Sequence, residues 1–210
     1  MHDRFHPLGK YTPEEVSSRF RYFNTTEKIL SLWQEPTKHE LTLLFDNPFE
    51  IAVIRSKNSG EWKALGGRWG EIDDVQSVDC NIIAHTHQSE NDPNNYSLPS
   101  LNDVFFATRF DGKCFIVDMR GIFFFTGIKK HPETNKPWRP KKINDLLLLH
   151  EAFIWTSLSS QESSDFNESR EEKLLKIERE FLKKIGVIVI SKGWEELPNQ
   201  NPLSSFAKEV

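Results

Sequence analysis

The chain has 210 residues, 37% of them hydrophobic and 28% charged, with a formal net charge of -4. Sixteen Phe and six Trp supply enough bulk for one substantial core or two small ones, which excludes a disordered chain. The negative balance gives no bulk attraction for nucleic acid or an anionic membrane.

Two cysteines, Cys80 and Cys114, cannot build a disulfide framework, and each sits in an apolar, strand-like run that reads as a place for a buried thiol. The opening "MHDRFHPLGK" has no apolar core of a secretion signal, and the most apolar runs fall short of the roughly 20 residues that span a bilayer. A soluble, cytoplasmic protein is expected.

In chain order, Thr12-Pro13-Glu14-Glu15 is a helix start, with Thr as cap and Glu three positions later, and the helix is predicted to run to about Trp33. Glu40 to Phe45 reads as a strand, and Asp46-Asn47-Pro48 as a turn. Glu50 to Ser56 is a β-branched second strand, and Lys57 to Gly60 a turn into the return strand "EWKAL". "VDCNIIAH" is the next strand and carries His85 and His87 at its C-terminal end.

Ser100 is placed to cap a helix through "LNDVFFATRF". The strands "KCFIVD" and "GIFFFTG" follow, joined at Met119-Arg120-Gly121. Lys129 to Lys142 is a basic, Pro-rich connector; it opens the segment to about Asn167, which reads as an insertion. "INDLLLLHEAFIWTSL" reads as a largely buried helix, and "SSQESSDFNES" as a polar loop. The stretch "REEKLLKIEREFLKKIG" is amphipathic, with Leu174, Ile177, Phe181 and Ile185 on one face and Gly186 as its stop; "VIVIS" closes as a strand. The alternation predicts a single α+β (mixed α/β) domain with a central sheet flanked by helices. Its parts are an N-terminal helical segment (1–39), a core (40–128), and the basic connector with C-terminal helices and a closing strand (129–210).

His85 and His87 are two apart on a strand, so both imidazoles point to one side and can converge on one metal. A carboxylate would complete a three-ligand set with one tetrahedral position open, the arrangement of catalytic zinc. Asp103 can supply it, one turn after Ser100 on the same helix face. The plainer alternative is two histidines bonding loop backbone, Ser100 as a simple cap and Asp103 as a favourable first-turn charge.

The order strand, His-x-His, loop, Ser-x-x-Asp, helix resembles the JAMM (JAB1/MPN+) metalloprotease motif, and a bacterial JAB-like branch in particular. The likeness covers Glu40 to Gly127, including the strand pair and Gly turn in "GKCFIVDMRGIFFF". It implies a JAB-type, cytidine-deaminase-like architecture for the core. It also implies zinc on His85, His87 and Asp103, the Ser100 hydroxyl at the tetrahedral intermediate, and an upstream Glu as general base. Glu50 fills that last role at thirty-five residues before His85, with Glu40, Glu61 and Glu71 as competitors. This sequence departs from the motif at Gln88, where Pro is usual, and in the thirteen-residue step from His87 to Ser100, which implies a longer loop.

The function so implied is zinc-dependent hydrolysis of a peptide or isopeptide bond in a protein tail. The alternatives are an inactive binding or scaffold protein on the same fold and an effector-type hydrolase. His150-Glu151 lacks the second His of a zincin, since Ile154 stands there, and reads as part of an apolar helix. The connector has six cations against Glu133 alone, which suits either a solvated loop or an acidic partner.

Overall fold

The structure is a computed structural model that describes residues 10–12, 29–45, 50–66, 79–87, 98–160 and 170–210. Its chain is mixed α/β. The strands are β1 (Lys10–Tyr11), β2 (Ile29–Leu32), β3 (Ile51–Ser56), β4 (Trp62–Gly66), β5 (Cys80–Thr86), β6 (Lys113–Asp118), β7 (Gly121–Phe125) and β8 (Val189–Gly193). The helices are α1 (Lys38–Phe45), α2 (Leu101–Ala107), α3 (Ile143–Ser160), α4 (Arg170–Lys184) and α5 (Pro202–Ala207). The strands form one sheet in the order β1-β2-β4-β3-β5-β6-β7-β8. No helix among the described residues is long and apolar enough to cross a membrane.

Two compact units share the chain, the first within Met1–Ser97, Gly112–Phe124 and Ile190–Val210, the second within Leu98–Asp111 and Phe125–Val189. In the first, α1 and α5 supply Leu41, Leu44, Leu203 and Phe206 to a core with Leu32, Ile51, Val53, Phe115 and Ile122 of the sheet. In the second, Phe181 and Ile185 of the α4 segment pack with Val104 of α2 and Leu146 of α3.

The predicted hairpin is present: β3 and β4 pair antiparallel from Ile51↔Gly66 to Arg55↔Trp62. So is the histidine strand, β5, antiparallel to β3 and parallel to β6. The turn after β6 is held by the buried Asp118, whose Oδ1 accepts the Arg120 and Gly121 N–H groups at 2.7 and 3.2 Å. Helix α4 ends as predicted at Gly186, whose φ of 77° suits glycine.

Four expectations need correction. The helix predicted from Thr12 to Trp33 does not hold at its end, since Ile29–Leu32 is a strand. Leu30 and Leu32 are buried while Trp33 is exposed, and Leu30 pairs with Ala64 on β4. Residues 13–28 lie outside those described, as does the predicted turn at Asp46-Asn47-Pro48. Glu40 to Phe45 is helix rather than strand. The reason is a capping box in "TKHE": Glu40 N–H donates to Thr37 Oγ1 at 3.3 Å, and Thr37 N–H to Glu40 Oε2 at 2.6 Å. Leu41 and Leu44, three apart, then share the buried face.

Helix α3 forms as predicted but is not largely buried, because Leu146 goes inside while Leu148 and Trp155 are 67% and 71% exposed. The last strand starts two residues later than expected and is followed by a 3-10 turn, Trp194–Glu196, and by α5. Glu35, itself buried, accepts the Ser204 N–H of α5 at 2.9 Å, and burial pushes its carboxyl above the usual range.

Candidate metal centre

The first unit supplies two imidazoles. Strand β5 ends at Thr86, so His85 is its penultimate residue and His87 the first beyond it. His85 is buried and His87 half-buried. The backbone of His87 stays on the sheet through its N–H, which donates to Val117 O on β6 at 3.1 Å. The i, i+2 spacing brings the two rings to 4.8 Å between centroids and the two Nε2 atoms to 2.9 Å.

That contact constrains the chemistry. Two N–H groups cannot face each other at 2.9 Å, so at least one of the two Nε2 atoms is an acceptor in that contact. Two neighbouring imidazole nitrogens are a donor pair that several divalent transition-metal ions accept. The donor type fits such an ion.

The end of the sheet also sorts the candidate bases. The register of β3 on β5 ends at Ala52↔His85, while β5 stays with β6 through Thr86↔Val117. Between β3 and β5 the next contact is made by a side chain: Ile51 N–H donates to Thr86 Oγ1 at 3.0 Å. Cross-strand partners share a face, and so do residues two apart on a strand. Ala52 and His85 therefore lie on one face, and Glu50 stands half-buried just before β3, two residues from Ala52.

The rivals stand elsewhere. Glu40 is engaged in the α1 cap. Glu61 is exposed at the other end of the hairpin, where its backbone carbonyl accepts the Ser56 N–H. That end is about 17 Å away along β3 at roughly 3.4 Å per residue. Glu71 lies outside the described residues, as do Gln88 and the rest of the loop to Ser97.

Thr86, between the two histidines, escaped the sequence reading, because only the register shows that its hydroxyl replaces a backbone acceptor. It is 3% exposed. Thr86→Val removes that acceptor and leaves the Ile51 N–H unsatisfied, at an expected cost of about 1–3 kcal/mol in chemical denaturation. Thr86→Ser is expected to restore most of it.

Helix α2 carries the candidate carboxylate, Asp103. Ser100 caps α2 as predicted, accepting the Asp103 N–H at 3.2 Å, and the Ser100 N–H and hydroxyl both donate to Asp103 Oδ2 at 2.7 Å. Both Ser100 donors meet the carboxylate at the same oxygen, Oδ2. One ligand atom from each of His85, His87 and Asp103 lies within 4.8 Å of the others, so this group could hold a metal ion.

Two other sequence candidates resolve more simply. His150 sits edge-on to Phe181 at 4.9 Å, and burial pushes its pKa below the usual imidazole range. Cys80 is buried, and desolvation, with Asp79 adding to it, pushes its thiol up to about 11. It is expected to resist a disulfide-exchange reagent at pH 8 in the native protein and to react on unfolding, as a thiol titration would show.

No family model matches this chain, and no curated protein or solved structure matches it either.

Proposed function

We propose that the protein is a zinc-dependent hydrolase of peptide or isopeptide bonds, with His85, His87 and Asp103 as ligands and Glu50 as general base. The observation that carries the reading is the approach of two Nε2 atoms to 2.9 Å at the end of β5 that pairs with the start of β3, the strand that Glu50 precedes. Asp103 adds the third donor within 4.8 Å. Two imidazoles and one carboxylate suit zinc and leave a coordination position open.

Zinc, when bound, supplies an acidified water and a polarised carbonyl. The remaining work falls to the chain. The Glu50 carboxylate takes a proton from the attacking water and returns it to the leaving amine nitrogen. Val117 O and Thr86 Oγ1 hold the two strand ends in place, which keeps Glu50 and the imidazoles at a fixed separation. Ser100 orients Asp103 through its hydroxyl and, by turning away from Oδ2, can donate to the oxyanion.

A second reading, a metal-holding binding module without turnover, is favoured by the engagement of the Ser100 hydroxyl with Asp103. The two separate in a screen of zinc-loaded protein against peptides and isopeptide-linked tails. Cleavage that a chelator abolishes and zinc restores supports the hydrolase. Cleavage that survives chelation, or none across a broad panel, removes it.

A further inference from the structure

We propose that the segment Lys129 to Lys142 is a docking surface for an acidic peptide. The sequence allows a solvated loop here, yet the segment is built. Trp138 N–H donates to Lys129 O, His131 N–H to Lys136 O, and Lys129 and Lys130 N–H groups to Ile185 O. Lys130 forms an antiparallel bridge with Pro137, and Asn135 takes a left-handed turn at φ 56°. Arg109, just after α2, ties down the far end by donating to Pro140 O at 2.6 Å and Lys141 O at 2.9 Å. Pro140 is buried, and Trp138 packs on the core of this unit.

The frame fixes the backbone and leaves the charges outside. Lys129, Lys136, Arg139, Lys141 and Lys142 are all exposed, and none makes an ion pair among the described residues. A mobile chain relaxes the repulsion among five cations by spreading; an anchored one keeps it, and an external polyanion relieves it. His131 and Trp138 meet edge-on at 5.1 Å rather than as the parallel platform on which bases stack. The net charge of -4 over the whole chain argues against nucleic acid.

One consequence rests on the hydrolase reading. Asp103 and Arg109 are six residues apart on and just after α2, roughly 9 Å at 1.5 Å per residue, and an extended peptide covers that in about three residues. Acidic side chains a few residues from the cleaved bond would then define the preferred substrate.

The test is fluorescence anisotropy of labelled hexaglutamate on the full chain, with and without zinc, at low and near-physiological salt. Salt-sensitive binding is expected, weakened roughly tenfold or more by Arg139→Glu/Lys141→Glu/Lys142→Glu. The neutral triple Gln variant should fall between, and Lys176→Glu/Lys208→Glu, on α4 and just past α5, should match wild type. No binding, equal loss in that control, or tighter binding of a single-stranded oligonucleotide of equal charge would overturn the proposal. The titration reads no turnover, so its failure leaves the hydrolase standing, and a failed cleavage screen leaves the docking surface standing.

Discussion

Glu50→Gln is expected to lower turnover by about 100- to 10,000-fold, the usual contribution of a positioned acid–base group, while zinc content stays at the wild-type level. The two readouts together give the experiment its force. Glutamine keeps the size of the side chain and its place before β3, so the sheet end stays closed by Thr86 and the ligands keep their spacing. It loses the negative charge and with it the capacity to take a proton. Glu40→Gln and Glu61→Gln are the matched controls, one in a helix cap and one at the far end of the hairpin, and neither should change turnover beyond about twofold. If Glu61→Gln abolished activity and Glu50→Gln did not, the assignment from the strand register would be wrong.

The second large effect concerns the ligands. Zinc at about 1,000 times its dissociation constant stabilises a folded protein by roughly 4 kcal/mol, which thermal unfolding with and without the ion reads as a higher midpoint. His85→Ala and Asp103→Ala are each expected to abolish that rise, since two remaining donors cannot hold the ion well. Asp103→Ala should also lose about 1 kcal/mol without any zinc, because its carboxylate accepts the Ser100 N–H and hydroxyl in the α2 cap. Ser100→Ala differs from both: it keeps all three ligands, loosens one, and should weaken zinc by about 10- to 100-fold without abolishing the site. A full zinc-dependent rise in the Asp103 variant would remove it from the ligand set.

The site was largely legible because its elements are local in sequence. His-x-His on a strand and Ser-x-x-Asp at a helix start each dictate their own geometry, through pleat alternation and capping. Where Glu40, Glu50 and Glu61 stand in the fold was not legible, since it depends on which end of β3 meets the end of β5, a matter of register. The two secondary-structure errors had a common origin. In "KHELTLLF" the apolar residues fit either period, and Thr37, which caps the helix together with Glu40, lies before the stretch read as a strand. At Ile29–Leu32 the helix pattern ran on from upstream, while pairing with β4 across more than thirty residues decided for strand. The exposed apolar face of α3 shows the same limit: hydrophobic residues predict a helix well and its burial less well.

Whether His85, His87 and Asp103 hold zinc is read by elemental analysis of wild-type protein purified without chelator or a histidine tag, repeated after dialysis against zinc. Close to one zinc per chain is expected. Wild-type protein that stays free of metal after zinc is supplied would contradict that and leave the two histidines as polar residues closing a strand.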